Sequence, residues 1–373
     1  MDTKETNRIE CLEKAENIYI YGYSNLGRNV FHKLKMIFPD KLIGFVVTKY
    51  NIKTKDSERT DIYELEYVVR ENKNQNILFI IATNKIFHSD IIGALRKIEC
   101  QYIVYDEMLN AEINAHLSVI PKIETRLLAL SVGQACNYKC RDCLNFAPYA
   151  LPENKRYSLE NIKHDIKSAM LFFERIDVFH IQGGEPFLYK DLGDVIEYVR
   201  QFYSHIVRKI VVATNGSILP SDALLKVIKD NEVEIRISDY KNEHNNSILI
   251  GKLFENDIKY RVYKFAGGTG TWKIGGDIKF VDTQYKLEEK VNACSWNCCF
   301  TMENGKIGRC ARSIPASTLQ KFNIAENDYI ELRHQIDQEQ IWEYFAFISP
   351  MTCCNYCKGS FGEDIEPAIQ LED

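Results

Sequence analysis

The chain has 373 residues, a formal net charge of −5 at pH 7 and a pI near 6.0. It lacks the excess of basic residues that is typical of nucleic-acid-binding proteins. It also has no apolar run of the eighteen or so residues that a membrane helix needs. Its charged beginning, MDTKETNRIE, lacks the apolar core of a signal peptide. These features predict a cytoplasmic protein of two or three domains, with neither nucleic acid nor membrane as partner.

The first part of the chain alternates predicted strands and helices. NIYIY, a glycine turn, a helix beginning near Asn25 and the strand LIGFVV come first, and the strand NILFIIAT and the helix IIGALRKIE follow. This alternation predicts a Rossmann-like α/β domain with a parallel sheet over residues 1–118. The turn YGYSNLG is similar to a dinucleotide-binding fingerprint, but Ser24 replaces its middle glycine and no acidic residue follows the second strand.

A second β/α series begins at TRLLALSVG and occupies residues 119–285. Ser158 is the predicted N-cap of a helix whose apolar residues keep helical spacing, and further strands and helices alternate after it. The pattern predicts a partial (β/α) barrel, in which functional residues gather at the carboxyl ends of the strands. The cysteine-rich loop QACNYKCRDC and the segments GGEP, ATNG and SDY all fall at such ends.

The chain carries twelve cysteines, ten of them in three groups at 136–143, 294–310 and 353–357. A reducing compartment disfavours disulfides and favours metal binding. Thiolates suit zinc and iron–sulfur clusters alike, so the type of ligand leaves both open. Structural zinc usually takes four ligands, whereas Cys136, Cys140 and Cys143 form a local set of three.

The spacing C-x3-C-x2-C, followed in order by GGEP, TNG and Ser238, resembles the signature of the radical S-adenosylmethionine (SAM) superfamily over roughly residues 125–265. The resemblance implies a partial (β/α)6 TIM-like barrel and a SAM-binding [4Fe–4S] cluster on Cys136, Cys140 and Cys143. It also implies reductive cleavage of SAM to a 5′-deoxyadenosyl radical. The implied SAM-binding residues are Tyr138, Gly183, Gly184, Glu185, Pro186, Thr214, Asn215 and Ser238. Asp142 departs from the usual aromatic residue before the third cysteine, so Tyr138 or Phe146 is the expected substitute.

The C-terminal segment 286–373 resembles the Twitch-type (SPASM/Twitch) auxiliary-cluster region of radical SAM enzymes. A predicted hairpin with Gly305 at its turn would bring Cys294 and Cys310 together, and CCNYC follows. The resemblance implies a second [4Fe–4S] cluster held by Cys294, Cys310, Cys354 and Cys357, with a zinc ribbon as the alternative. Cys298, Cys299 and Cys353 are predicted to be buried packing residues, or else substitute ligands or a hydrogen-donating thiol.

These features predict an oxidoreductase or epimerase that abstracts hydrogen from a sugar or sugar nucleotide, with flavodoxin or ferredoxin as a typical electron donor. The N-terminal domain is similar to the nucleotide-sugar-binding domain ahead of some bacterial sugar-modifying enzymes; a docking or dimerisation domain is the alternative. Two other functions remain open, which are maturation of a ribosomal peptide and a non-catalytic zinc-binding scaffold. No catalytic acid or base is identifiable, and His180, Arg236 and Lys264 are predicted to be structural or solvated.

Overall fold

The structure is a computed structural model that describes residues 8–49, 61–240, 243–264, 272–275, 286–294, 296, 299–319 and 328–371. The chain forms two compact units. The first unit is drawn from Met1–Glu124 and Gln338–Phe347, and the second from Thr125–Asp337 and Ile348–Asp373.

The described elements are as follows. The strands are β1 Asn17–Tyr21, β2 Leu42–Val47, β3 Ile62–Glu64, β4 Ile77–Ile81, β5 Gln101–Val104, β6 Ile123–Ser131, β7 Phe173–Gln182, β8 Val207–Thr214, β9 Glu234–Asp239, β10 Tyr260–Lys264, β11 Trp272–Lys273, β12 Phe300–Glu303, β13 Lys306–Gly308, β14 Ile330–Glu331 and β15 Asp364–Ile365. The α-helices are α1 Arg8–Lys14, α2 Asn25–Ile37, α3 Leu65–Glu71, α4 His88–Lys97, α5 Glu107–Asn114, α6 Leu159–Met170, α7 Leu192–Tyr203, α8 Asp222–Asp230, α9 Glu243–Glu255, α10 Leu287–Asn292, α11 Ser313–Thr318 and α12 Gln338–Ala346.

The first unit contains a five-stranded parallel sheet in the order β3-β2-β1-β4-β5. The chain winds outward from β1 in both directions, as in the Rossmann-type sheet that the sequence predicts. Ser24 is used structurally, because its hydroxyl caps α2 by accepting from the N–H of Gly27 (3.1 Å) and donates to the carbonyl of Ala82 (3.0 Å). The Rossmann-like fold is therefore confirmed, and Ser24 ties the turn after β1 to the end of β4.

Helix α12 belongs to this first unit although it lies more than two hundred residues further along the chain. Trp342 is 2% exposed, and the ammonium of Lys33 lies 3.2 Å from its ring centroid. The same ammonium donates to the side-chain oxygens of Asn110 and Asn114, both at 2.7 Å. Burial lowers the pKa of Lys33 to about 7. The two amide oxygens and the indole ring replace part of the water that this charge has lost.

The second unit is built on an eight-stranded, mostly parallel sheet in the order β10-β9-β8-β7-β6-β12-β13-β14. Ile181, Val212 and Ile237 are fully buried and alternate with polar or small side chains on the other face of their strands. The predicted helix α6 is capped by Ser158, whose hydroxyl accepts from the N–H of Asn161 (3.2 Å). The α/β class and the partial parallel barrel are confirmed.

The predicted hairpin is present in this sheet. Strands β12 and β13 pair antiparallel around the turn at Asn304 and Gly305, both of which have positive φ. β12 also pairs in parallel with β6, which places the hairpin directly beside the first barrel strand. Among the helices that the structure describes, none is long and apolar enough to cross a membrane.

Candidate active site

The first cysteine loop leaves the carboxyl end of β6, and hydrogen-bond donors surround its sulfur atoms. The N–H of Tyr138 lies 3.4 Å from the Sγ of Cys136, and the amide of Asn215, on the loop after β8, approaches the same sulfur at 3.9 Å. The N–H groups of Asn145, Phe146 and Ala147 contribute at Cys143. Donors of this kind stabilise thiolates, so the loop suits the sulfur ligands of a metal cluster.

Burial sets the protonation of these thiols. It raises the pKa of Cys136 to about 12 and that of Cys140 to about 11, and it also raises the pKa of Cys143. The guanidinium of Arg312 acts in the opposite direction on Cys143. The three thiols are therefore neutral until a metal displaces their protons. This donor set, with three sulfurs in one loop and N–H groups aimed at them, fits the [4Fe–4S] cluster that the sequence predicts.

The GGEP turn runs against the backbone of the cysteine loop. The N–H of Gly184 donates to the carbonyl of Gly133 (2.9 Å), and the N–H of Glu185 donates to the carbonyl of Ala135 (2.7 Å). A Cβ on Gly184 would lie 2.2 Å from that carbonyl oxygen of Ala135, and Gly183 has a φ of 149°. Glycine is needed at both positions, because any side chain would push the carboxylate of Glu185 away from the loop.

Glu185 lies at the centre of a buried polar network. One carboxylate oxygen accepts from the hydroxyl of Thr214 (2.8 Å) and the N–H of Phe187 (3.0 Å), and the other accepts from the N–H of Asn215 (2.8 Å). Burial nevertheless raises the pKa of Glu185 to about 7. The network joins the ends of β7 and β8, where an ionised carboxylate would bind a ligand ammonium group.

The remaining residues predicted to bind SAM occupy the same edge of the sheet. Pro186 begins a short 3₁₀ turn after Glu185, and Ser238 is buried near the end of β9, hydrogen-bonded to Tyr240. Tyr138 is half-buried in the cysteine loop. Phe146, by contrast, packs beneath the guanidinium of Arg312 at 4.1 Å. Its ring lies in a cluster with Cys310 and Met351, so it contributes to the core between the two cysteine regions.

The C-terminal segment 369–371 pairs with the cysteine loop, which sequence reasoning did not identify. The N–H of Arg141 donates to the carbonyl of Ile369 (2.7 Å), and that of Leu371 donates to the carbonyl of Lys139 (2.8 Å). Between them, the amide of Gln370 accepts from the N–H of Lys139 (2.7 Å) and donates to the Sγ of Cys140 (3.4 Å). A lone glutamine near the end of a sequence carries no signal of this contact.

We expect Gln370→Ala to weaken retention of the first cluster, because the sulfur of Cys140 loses a side-chain donor and Lys139 loses its acceptor. The loss of iron on dilution into a chelator should accelerate roughly tenfold, within the range measured for residues that support metal ligands. Iron release followed by absorbance measures it, with Gln338→Ala, in the other unit, as the matched control. Equal rates in the two variants would contradict the supporting role of Gln370.

A second group of cysteines lines one cavity. Its walls include Cys294, Cys310, Cys354 and Cys357, the four predicted auxiliary ligands, together with Cys353. Burial and the proximity of the other three predicted ligands raise the pKa of Cys310. Cys299 is half-buried just before β12, and Cys298 lies outside the described residues.

Buried charges hold the loops of this second group. The ammonium of Lys290, 4% exposed, donates to the carbonyls of Cys354 (2.8 Å) and Cys357 (2.9 Å). The carboxylate of Asp328 accepts from the N–H groups of Thr352 (2.7 Å) and Cys353 (2.8 Å). Backbone N–H groups also reach sulfur, from Arg312 to Cys310 (3.3 Å) and from Gly359 to Cys357 (3.2 Å). This donor set suits thiolate ligands as the first one does.

Cys353 makes a thiol hydrogen bond with Cys354. This contact raises the pKa of Cys353 and helps to lower that of Cys354 to about 7. Within the described ranges, no three His, Cys, Asp or Glu side chains converge as they would around a single metal ion. A [4Fe–4S] cluster does not require its ligands to converge on one point, because each thiolate binds a separate iron.

Comparison with known protein families gives one match for this part of the chain. Residues 130–260 match the model of the radical SAM superfamily. They contain the first cysteine loop, the GGEP turn, the end of β8 and Ser238. Residues 130–260 belong to the radical SAM superfamily. The three cysteines and the Glu185 network therefore lie within a radical SAM domain, a family whose members hold a [4Fe–4S] cluster and SAM.

Curated relatives match about a quarter of the chain. The GTP 3′,8-cyclase of Campylobacter jejuni (strain RM1221) is 36% identical over 93 residues, which are 25% of this chain and 28% of that protein. The GTP 3′,8-cyclase of Cronobacter sakazakii (strain ATCC BAA-894) is 36% identical over 98 residues, 26% of this chain and 28% of that protein. The chain thus spans less than a third of the length of these relatives. The solved structure of BtrN in complex with AdoMet and 2-DOIA aligns at a TM-score of 0.37 and 14% identity, over 52% of this chain and 75% of that one.

Proposed function

We propose that the protein is a radical SAM enzyme that abstracts hydrogen from a sugar or sugar nucleotide, in a dehydrogenation or an epimerisation. The observation that carries the proposal is the convergence of Cys136, Cys140 and Cys143 with the carboxylate of Glu185 at one edge of the barrel sheet. Asn215 connects the two groups, because its N–H binds Glu185 and its side-chain amide approaches Cys136.

When bound, the cluster and SAM would supply a 5′-deoxyadenosyl radical that takes hydrogen from an unactivated carbon. The chain's own residues would orient SAM. The ionised carboxylate of Glu185 would accept from its ammonium group, and the hydroxyl of Ser238 would contact its ribose. Thr214 and the N–H of Asn215 hold that carboxylate in place at 2.8 Å each. The fully buried residues on the opposite face of β7–β9 keep the strand ends fixed.

Two observations support a sugar or nucleotide as the substrate. The first unit has a Rossmann-type sheet, an architecture that often binds nucleotides at the carboxyl ends of its strands. The curated relatives are named for a reaction of GTP, which is itself a nucleotide. The glycine turn after β1 and the N-terminus of α2 lie at the carboxyl edge of this sheet.

We propose a second [4Fe–4S] cluster on Cys294, Cys310, Cys354 and Cys357. The four thiols line one cavity, and Lys290 and Asp328 hold the backbone that carries the last two. The ammonium of Lys290 donates to the backbone carbonyls of two of these ligands, Cys354 and Cys357. Its positive charge would offset part of the negative charge of a four-thiolate cluster. A hydrogen bond from Cys353 to Cys354 would leave Cys353 a thiol beside that cluster.

Anaerobic reconstitution tests the proposal. We expect about eight irons per chain, two clusters of four, and release of 5′-deoxyadenosine when SAM and dithionite are added. A panel of nucleoside diphosphate sugars should then yield an oxidised or epimerised product, detected by mass spectrometry. Zinc without inorganic sulfide would refute radical chemistry. Turnover of a ribosomal peptide instead of any sugar would refute the substrate class.

Replacing Cys354 and Cys357 together with alanine should remove the second cluster alone. We expect the iron content to fall from about eight to about four per chain, while release of 5′-deoxyadenosine without substrate continues and product formation is lost. The matched control is Cys11→Ala, because Cys11 is a free thiol in the first unit. An unchanged iron content in the double variant would show that these two cysteines bind no cluster.

A further inference from the structure

Polar side chains of two barrel strands, β7 and β9, share the face opposite the buried aliphatic residues. On β7 this face carries His180 and Gln182, and on β9 it carries Arg236 and Ser238. Between these strands, β8 presents Val211 beside His180 and the small Ala213 beside Arg236. We call this set of side chains, His180 and Gln182 of β7, Val211 and Ala213 of β8, and Arg236 and Ser238 of β9, the trough.

Two buried nitrogen atoms of this trough lack a hydrogen-bond partner in the part of the chain that the structure describes. They are the Nε2 of His180, a residue only 6% exposed, and the Nε of Arg236. Buried polar atoms in native proteins almost always have partners, so both are expected to bind something else. Gln182 also interacts with this imidazole, and only Nε2 of its two ring nitrogens is a buried atom without a partner among the described residues. Nε2 is therefore the atom open to a ligand.

The charge of Arg236 is not compensated by a carboxylate in the described ranges. Its guanidinium stacks on the ring of Tyr263 at 4.3 Å, a contact that holds its plane without neutralising it. The nearest acid on the same strand face, Glu234, already pairs with Lys209 and with Arg261 (3.1 Å). A partly buried cation beside a neutral imidazole is stabilised by an anion that accepts from both.

The trough lies next to the candidate cluster site. Tyr240, one residue beyond β9, is close enough to Arg236 and to the thiols of Cys140 and Cys143 for all three to influence its phenol. Its hydroxyl is also bonded to Ser238. The phenol of Tyr240 is thus near both Arg236 and the cysteine loop.

We propose that Arg236 and His180 form a subsite for an anionic oxygen group of the substrate, a phosphate or a carboxylate, beside Val211 and Ala213 of the intervening strand β8. The proposal rests on the proposed function, because it assumes that the substrate enters this barrel. It narrows the substrate class to sugars that carry a phosphate or carboxylate, including sugar nucleotides. It also revises the sequence-based expectation that His180 and Arg236 are structural.

Anion binding can be measured without SAM and without knowing the substrate. The anaerobically reconstituted protein would be titrated with inorganic phosphate, and separately with acetate, by calorimetry and by phosphorus NMR line broadening. We expect saturable binding at one site in the parent protein. Arg236→Gln should weaken it about tenfold or more, as expected for the loss of a charge-assisted hydrogen bond. His180→Gln should weaken it less, because the cation remains.

The matched control is Arg261→Gln. Arg261 is level with Arg236 on the neighbouring strand, but its side chain is 65% exposed and paired with Glu234. We expect phosphate binding within twofold of the parent in this variant. Circular dichroism and the thermal midpoint establish that each variant is folded. If Arg236→Gln is misfolded, His180→Gln still decides, because unchanged binding in that variant would overturn the assignment.

Saturating SAM separates the two sources of such an anion. Phosphate binding that persists with SAM present supports a substrate subsite, whereas competition would mean that the carboxylate of SAM occupies it and would overturn the proposal. If phosphate binds more tightly than acetate, the substrate carries a phosphate; if acetate binds more tightly, it carries a carboxylate. Both outcomes support the subsite. Unsaturable binding of both anions to the parent protein would also overturn it. This titration needs no turnover, so its result is independent of SAM cleavage. The proposed subsite can therefore be refuted while the proposed radical chemistry is supported, or the reverse.

Discussion

Replacing Cys143 with alanine is expected to abolish release of 5′-deoxyadenosine and to lower the iron content from about eight to about four per chain. Cys143 provides one of three sulfurs in a single loop, and the N–H groups of Asn145, Phe146 and Ala147 support it. A cluster held by only two thiolates in this loop would lose iron during reconstitution. Iron and sulfide analysis, with chromatography of the SAM products, measures both effects.

The control for this experiment is Cys100→Ala. Cys100 is a half-buried free thiol of the first unit, and burial raises its pKa as it does for the loop cysteines. We expect this variant to keep the parent's iron content and activity. If Cys143→Ala retained both clusters and still cleaved SAM, the assignment of the first cysteine loop would be wrong.

Glu185→Gln is expected to weaken SAM binding about ten- to a hundredfold. All three protein contacts of this carboxylate are donors, from Thr214, Asn215 and Phe187. In this variant an amide NH2 would replace one carboxylate oxygen and face another hydrogen-bond donor. Two buried donors left without an acceptor cost about 1–3 kcal/mol. The variant would also lose the negative charge that attracts the ammonium group of SAM. Equilibrium titration with SAM measures the loss.

The pH dependence of SAM affinity distinguishes this role of Glu185 from simple packing. Burial raises its pKa from the usual 4.5 to about 7. Only the ionised form attracts an ammonium group, so affinity should rise as the pH increases through about 7. Between pH 4.5 and 7, Glu185 is protonated in the native state but ionised in the unfolded state. As the pH rises through this range, Glu185 therefore lowers the free energy of unfolding.

The matched control is Glu174→Gln, because Glu174 is an exposed carboxylate on the same strand, β7. We expect it to keep the parent's affinity and pH profile, while Glu185→Gln gives a flat profile. The pH dependence of stability would not identify Glu185 by itself, because buried Glu303 also has a pKa raised to about 7. A Glu185→Gln variant that binds SAM as tightly as the parent at pH 8 would refute the assigned contact.

Much of the candidate site was predictable because its signals are local. The spacing of Cys136, Cys140 and Cys143 within one loop can be read without a structure. Glycines such as Gly183 and Gly184 mark the place where the backbone approaches the loop within hydrogen-bond distance. Strand periodicity and the rule that parallel strands align their carboxyl ends predict that these segments share one edge.

Contacts made by distant segments were not predictable from these signals. Gln370 reaches Cys140 across 230 positions, and Trp342 packs on Lys33, which lies far earlier in the chain but in the same unit. Arg312 lies beside Cys143 while its own N–H supports Cys310. Nothing in the residues next to Gln370, Trp342 or Arg312 indicates which partner they will meet, because packing of the whole chain decides it.

The sequence by itself determined the α/β class, the order of strands and helices, and the cysteine spacing of the radical SAM domain. These depend on periodicity and on residues close together in the chain. Only the tertiary structure decided which side chains surround the sulfurs, that helix α12 joins the N-terminal unit, and that His180 and Arg236 lie on either side of β8. The physical reason is that a strand pattern specifies which face a residue occupies, whereas its neighbours across the sheet depend on register and on long-range packing.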